Sequence, residues 1–512
     1  MARAAFLLAI DDHDGPRYAA IARAMIREIR RGRLRPGDRV PGTRELAAQL
    51  GMHRNTIIAA YRDLDAQGWI STVHGKGTYV ARTLGPATPR HTITADTDRI
   101  GFTMPAPMLA SRRACTRLLG TAPILLDSGL PDPRLLPADL VARAYRRVLR
   151  QTSLLGEADP RGSIRLREQI AASVSVARAI PCTADDILVT RGSQQAIDLV
   201  ARALVRPGDL VAVEALGYQP AWDAFRLAGA ELVPIAVDAD GLDTTALARV
   251  LERRAVRLVY VTPHHQYPTL ATLSATRRTA LLALAREHRI AILEDDYDHE
   301  FHYGARPVAP LRSLDAHGVV IYIGTLSKVL APGLRTGWVI APARLRDTMI
   351  QIRRAADRQG DLPLEAALAE LFEDDTIGRH IRRMRRIHLE RRDAAIAALA
   401  RHLGGSVTLA IPKGGMALWL EVDRAIDPDA WAEAAAKNGV AIAPGSAFTL
   451  DGSARPNLRL GYCRHTPAEL DRGIARLAEA RPRVPCRWRP ATGCATMAVD
   501  DEGLCRRRRA QR

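Results

Sequence analysis

The sequence predicts an α/β chain preceded by a small helical domain, and three observations lead there. From about residue 160 onward, apolar strand-like runs alternate with helical stretches, the pattern of a mostly parallel sheet covered by helices. Ahead of them, three segments of helical period lie between residues 17 and 67, the second and third separated by a short turn. A glycine-rich hairpin pattern, GWISTVHGKGTYVA, follows directly. At 512 residues, 47% hydrophobic and 25% charged, the chain is long enough for two or three domains and has the balance of a globular protein rather than a disordered one.

The formal net charge of +18 is uneven. Residues 1–83 carry 14 Lys/Arg against 8 Asp/Glu, and residues 481–512 carry 9 against 3, which suggests polyanion contact near the ends. No segment reaches the roughly 18 apolar residues of a membrane span. AAFLLAI runs into DDHD without a small-residue cleavage site, so a cytoplasmic protein without membrane contact is expected. The six cysteines are scattered and read as reduced thiols; the three in the tail form no CxxC pair, and no metal site is expected. Lysine is scarce: only Lys76, Lys328, Lys413 and Lys437 offer an amine.

Residues 1–83 form the first domain. RYAAIARAMIREIRRG sets Ile21, Met25, Ile26 and Ile29 at helical spacing and stops at Gly32. TRELAAQL and RNTIIAAYRDLDAQ flank the turn Gly51-Met52-His53, and the second of them carries Ile57, Ile58, Tyr61 and Leu64 inward. The hairpin tip His74-Gly75-Lys76-Gly77 adds a wing. A helix opening Arg54-Asn55-Thr56 presents polar side chains where a recognition helix meets base edges and phosphates, and Lys76 on the wing suits a phosphate. The plainer reading, a helical domain with a solvated basic face, leaves the hairpin unexplained. Residues 15–81, GRLRPGDRVPGTRELAAQLGMHRNTIIAAYRDLDAQGWISTVHGKGTYVA within them, resemble the GntR-type winged helix-turn-helix nearly end to end. That resemblance implies Arg44, Arg54, Thr56 and Lys76 as DNA contacts. Gly42 stands where the family usually has a Ser N-cap, with Glu45 three positions on as the other half of a capping box.

Residues 84–120 hold Pro, Thr and Ala without a sustained period and read as a tether. Residues 121–484 form the large domain, and 485–512 read as a disordered basic tail. Within the large domain, polar clusters gather at strand ends, where open α/β sheets place ligands. RGSQQA, after DILVT, opens a helix whose N–H groups and Ser193 hydroxyl suit a phosphate. EALGYQP offers Tyr218, either to stack on a flat ring or to pack in a core. LEDDYDHEF puts Asp295 and Tyr297 at the end of apolar IAIL, and TLSKVLAPGLRTGW gathers Thr325, Ser327, Lys328 and Arg335 around one loop.

This last set has a chemical meaning. A lysine amine with a pKa of about 10.4 is a poor nucleophile, but an apolar, partly buried setting lowers it and suits Schiff-base formation with an aldehyde. An Asp beside a pyridine nitrogen keeps the ring protonated, and Arg with hydroxyls neutralises a phosphate. Together the clusters describe a site for pyridoxal 5'-phosphate (PLP).

Residues from about 124 to 480 resemble a fold-type I aminotransferase domain, a mostly parallel central sheet with a smaller C-terminal α/β part. The whole architecture resembles the MocR-like regulators, which fuse such a domain to a GntR-type head. The resemblance implies that Lys328 forms the internal aldimine, Asp295 faces the pyridine nitrogen, Tyr297 hydrogen-bonds the phenolic oxygen and Tyr218 stacks on the ring. It implies Ser193, Gln194, Ser327 and Arg335 at the phosphate, and His265 and Gln266 of TPHHQYPT near the cofactor. Arg459 in NLRLGY would pair with the carboxylate of a substrate or effector. Four positions depart from the family pattern: Leu270 replaces a Gly, His388 and Leu155 stand where Tyr is frequent, and Pro220 lies where some members use Arg for a carboxylate-bearing effector. The expected function is a homodimeric, PLP-dependent transcription regulator that binds DNA and senses PLP or a small amino compound. The alternative is a PLP-dependent aminotransferase whose main role is turnover.

Overall fold

The computed structural model describes residues 16–73, 75–82, 124–127, 129–304 and 308–482, with Leu8, Leu109 and two short paired strands, Met497–Val499 and Cys505–Arg507. His74 of the hairpin tip, nearly all of the tether and most of the basic tail lie outside the described residues. The chain divides into two compact units, Met1–Pro105 and Ala106–Arg512.

In the first unit, helices Arg17–Arg30, Thr43–Leu50 and Arg54–Ala66 precede an antiparallel hairpin of Ile70–Val73 and Gly77–Val80. Their core is Ile21, Met25, Ile29, Leu46, Ile57, Tyr61, Leu64, Ile70 and Val80. Ile26 and Ile58, expected inside, are half-buried, and the small Ala22, Ala24 and Ala60 take the closest positions. The turn between the second and third helices closes on Gly51 in the left-handed region, φ 62°. Tyr61 ties the third helix back by donating to the Pro41 carbonyl at 2.7 Å. Only half of the expected capping box forms: Glu45 accepts from the Gly42 N–H at 3.2 Å, and glycine has no side chain to return the bond.

The second unit is built on a seven-stranded sheet. Its order is Ile187–Thr190, Gly337–Ile340, Val320–Thr325, Ala291–Asp295, Val256–Val261, Leu210–Glu214 and Glu231–Ile235. All neighbours are parallel except Gly337–Ile340, which runs against both of its partners. Alternate residues feed two layers. Leu188, Val211, Leu258, Leu293 and Ile321 pack against helices Gly192–Leu204, Gln219–Leu227 and Ala343–Ala356. Val189 and Tyr322 join helices Ile164–Arg178 and Leu362–Glu373 on the opposite face, and Val259 and Ile292 join Ala275–Glu287 there. Strands covered on both faces read as unbroken apolar runs, which is why five of them are visible in the sequence.

The smaller C-terminal part is an antiparallel sheet of Val407–Thr408, Ala417–Val422, Asn457–Gly461 and Ala443–Pro444. Helices Thr376–Leu403, Pro428–Lys437 and Pro467–Glu479 cover it around the fully buried Trp431. Ile124–Leu125 pairs with Val440–Ala441, threading the segment before Gly129 into this part.

His388 lies in that core, fully buried, with both ring nitrogens unpartnered and Phe301 4.6 Å away. Burial and the nearby Arg391 push its pKa down to about 3. An unfolded imidazole titrates near 6.5. Unfolding therefore takes up a proton at acid pH, and the stability is lost as pH falls from about 6.5 toward 3. His388→Phe is expected to stabilise the unit by about 1–2 kcal/mol, the cost of an unsatisfied buried polar group, and to flatten the acid limb of melting temperature against pH.

Candidate functional site

The site forms where the central strands end. Ala291–Asp295 and Val320–Thr325 lie side by side, with Asp295 paired to Ile323, so the segments carrying Asp295 and Lys328 leave the sheet as neighbours. The Lys328 loop is pinned at its base: Thr325 Oγ1 accepts from the Ser327 N–H and donates to the Thr336 carbonyl, both at 3.1 Å. Beyond it the chain turns back as the antiparallel strand. Gly337 is needed there because a Cβ would stand 2.9 Å from the Gly192 backbone and from the Gly324 carbonyl.

Lys328 is half-buried and donates from Nζ to the Gly129 carbonyl at 3.2 Å. Burial, with the charge of Arg459 adding to it and Asp298 and Asp295 opposing, pushes its pKa down to about 8. Arg459 is itself buried, its guanidinium carbon 4.6 Å from the centre of the Tyr267 ring and its Nε unpartnered. Asp295 is buried, with Oδ2 accepting from the Tyr260 hydroxyl at 2.8 Å and Oδ1 unpartnered. Burial raises its pKa to about 7.

The Tyr297 hydroxyl, Ser327 Oγ, Gln194 Oε1 and Asp298 Oδ2 are likewise buried without a partner. Buried polar atoms are rarely left so, and those of Asp295, Asp298 and Arg459, whose charges bear on Lys328, mark a ligand there. The donor set fits PLP: a carboxylate for a ring N–H, a phenol for the ring oxygen, and a serine, a helix start and an arginine for the phosphate.

Helix Gly192–Leu204 begins beside Arg335, which is exposed and donates from Nη2 to the Arg191 carbonyl at 2.8 Å. Ser193 is half-buried in the first turn, and Gln194 donates from Nε2 to the Pro220 carbonyl at 2.8 Å. A cavity of about 910 Å³ opens here, lined by Gln194, Pro220 and Arg335 among others. Tyr218 stands edge-on to Tyr267, ring centres 5.6 Å apart, and burial together with the Asp295 charge raises its pKa to about 12.

His265 is turned to Asp298, Nδ1 to Oδ1 2.8 Å, and so reaches the cluster through that carboxylate. Leu270, the departure from glycine, adopts φ 66°, and Leu155 is exposed. Tyr260, Gly129, Tyr267 and Asp298 are members of the site that the sequence patterns did not single out. Among the described residues, His264, Asp296 and His299 also bring possible metal-ligating atoms within 4.8 Å of one another. Asp296 Oδ2 already accepts from the Tyr322 hydroxyl at 2.6 Å and lies 2.9 Å from His299 Nδ1, so that carboxylate oxygen is occupied by groups of the protein itself.

On the head, Arg54 and Thr56 occupy the first turn of the third helix, whose N-cap His53 accepts from the Asn55 N–H. Arg54 is exposed, its Nε 3.4 Å from Thr43 Oγ1, which brings it beside the start of the helix bearing exposed Arg44. Lys76 is exposed at the hairpin tip, its carbonyl accepting from Tyr79 at 2.9 Å.

Residues 17–80 match the family described as bacterial regulatory proteins, gntR family, and residues 123–477 match aminotransferase class I and II. The probable rhizopine catabolism regulatory protein MocR of Rhizobium meliloti is 34% identical over 93% of this chain and 96% of its own. Aromatic-amino-acid aminotransferase 1 of Thermococcus litoralis is 32% identical over 72% of this chain and 90% of its own. Among solved structures, the α-aminoadipate aminotransferase LysN of Thermus thermophilus, complexed with N-(5'-phosphopyridoxyl)-L-leucine, is 31% identical and superposes with a TM-score of 0.66 over 72% of this chain and 94% of that one. No helix among the described residues is long and apolar enough to cross a membrane. With a gntR-family head and an aminotransferase-like body in one polypeptide, the chain belongs to the MocR-like regulators.

Proposed function

We propose that this protein is a cytoplasmic, homodimeric transcription regulator that binds DNA through its winged head and responds to PLP, alone or with a small amino compound. The observation that carries the reading is a winged head sharing one chain with a half-buried lysine whose charged neighbours Asp295, Asp298 and Arg459 each keep an unpartnered buried polar atom. When bound, PLP supplies an electron-withdrawing aldehyde that condenses with primary amines. Lys328, with its pKa lowered to about 8, exchanges a proton at Nζ near neutral pH and is the attachment point.

Asp295 Oδ1 serves the ring nitrogen, Tyr297 the ring oxygen and Tyr218 the ring face. Ser193, Gln194, Ser327 and Arg335 serve the phosphate, and His265 steadies Asp298 beside Lys328. Arg459, with its unpartnered Nε, takes the carboxylate of an amino compound. On the head, Arg44, Arg54, Thr56 and Lys76 meet DNA, and two heads of a homodimer read repeated half-sites. A ligand acts on DNA affinity only through its different affinity for two arrangements of the protein.

The decisive experiment measures binding to the promoter adjoining the protein's own gene, with and without PLP and candidate amines, alongside steady-state transamination. A ligand-dependent change in DNA affinity with slow turnover is expected; fast turnover with no DNA response reverses the reading in favour of an aminotransferase.

Gly192 gives a separate check of the phosphate end. Its φ is +73°, and a Cβ there would stand 3.2 Å from the Arg335 guanidinium. Gly192→Ala is expected to cost about 1–2 kcal/mol for the left-handed backbone alone. It should also weaken PLP binding while leaving binding of phosphate-free pyridoxal unchanged, as read by paired titrations.

A further inference from the structure

We infer that Tyr260 is a positioning residue for the cofactor: its hydroxyl fixes the Asp295 carboxylate and turns the second oxygen toward the ring nitrogen. This rests on the proposed placement of Asp295 at that nitrogen and extends it to a residue that touches Asp295 from behind.

The geometry begins with register. On the parallel strands Val256–Val261 and Ala291–Asp295, Tyr260 pairs with Leu293. Asp295 is two residues further along its strand, so the alternation of side chains brings it to the same face as Leu293 and Tyr260. Tyr260 is fully buried, with its ring 5.7 Å from that of Phe225 at 62°, and this packing fixes where the hydroxyl points. The hydroxyl donates to Asp295 Oδ2 at 2.8 Å, while Oδ1 has no partner. One oxygen is thus occupied from the neighbouring strand and the other is left for a donor from outside the protein.

The bond is also directional in charge. Burial raises the Tyr260 phenol well above its usual range, with the Asp295 charge adding to it, so the phenol stays neutral and donates. Donation favours the ionised carboxylate, opposing the burial that raises Asp295. The charges of Asp296 and Asp298 also disfavour ionisation of Asp295, whereas Lys328 favours it. Glu214 lies close enough for its own titration to respond to Asp295, and burial keeps it protonated up to about pH 8. Among these neighbours Tyr260 supplies the hydrogen bond to the carboxylate, and it is neutral throughout.

The test uses the full-length PLP-loaded protein and Tyr260→Phe, which keeps the ring against Phe225. The expected result is PLP retention weakened on the order of tenfold, the worth of one charge-assisted hydrogen bond, and a shifted pH midpoint of the visible absorbance band. The melting temperature without PLP serves as the folding control. If it falls, replacing Tyr260 with a ring-fluorinated tyrosine gives an isosteric, stronger donor, which must shift the midpoint in the opposite direction.

Asp295→Asn separates this inference from the reading beneath it. If Asp295→Asn changes retention and midpoint but neither Tyr260 variant does, the positioning role is overturned and the placement of Asp295 stands. If Asp295→Asn leaves both unchanged, the placement itself fails. A double variant no worse than Asp295→Asn alone is the outcome expected of a residue acting through Asp295.

Discussion

Lys328→Ala is expected to abolish the visible absorbance of the PLP-loaded protein and to reduce cofactor retention through dialysis by orders of magnitude, because the covalent link is lost. The fold should survive. Lys328 contributes its ammonium to a place where burial and the Arg459 charge both disfavour it, as its lowered pKa of about 8 records. Its own hydrogen bond, to the Gly129 carbonyl, is a long 3.2 Å. Removing the amine relieves a desolvated cation beside a second buried cation, so the melting temperature without PLP should be unchanged or higher. A Lys328→Ala protein that keeps the band sinks the assignment. If the band disappears but the ligand-free protein also unfolds, the lysine matters to stability in a way this electrostatic account excludes.

Arg54→Ala should weaken DNA binding about tenfold at moderate salt and lower the slope of log affinity against log salt by about one, the signature of one lost phosphate contact. Arg54 is exposed at the start of the third helix, and its side chain makes a long 3.4 Å approach to Thr43 Oγ1. The head's core, from Ile21 to Val80, does not involve it. Thermal stability should therefore be unaffected, and any loss of affinity reports the interface. Arg62, exposed two turns further along the same helix, is the control: Arg62→Ala with the same loss would mean a general effect of net charge and not a contact. Unchanged affinity and slope in Arg54→Ala would remove this residue from the DNA face.

Legibility in the sequence differs from strand to strand. DLVAVE, RLVYVT, IAILEDD and VVIYIG became central strands and DILVT an edge strand, and all five were legible because each carries an unbroken apolar run buried in the sheet. Glu231–Ile235 is the strand at the other edge; its mixed exposure and its Pro234 gave no such run. Gly337–Ile340 was hidden for another reason. It follows the Lys328 loop directly, and nothing in GWVI distinguishes a strand that runs antiparallel between two others. On the head, helical periodicity gave the three helices but misjudged Ile26 and Ile58, whose positions are covered less fully than those of nearby alanines.

The sequence by itself determined the two-part architecture, because periodicity and turn chemistry are local properties of neighbouring residues. It also supplied Lys328, Asp295 and the start of helix Gly192–Leu204, since each sits at the end of a readable strand. Only the tertiary structure decided how these groups behave. Tyr260 is 35 positions from Asp295, and Gly129 is 199 from Lys328, yet each is hydrogen-bonded to its partner. The half-buried amine, the raised carboxylate and the unpartnered atoms around them arise from desolvation and from charges brought together across the sheet. Those energies depend on distance in space, which the order of residues along the chain does not contain.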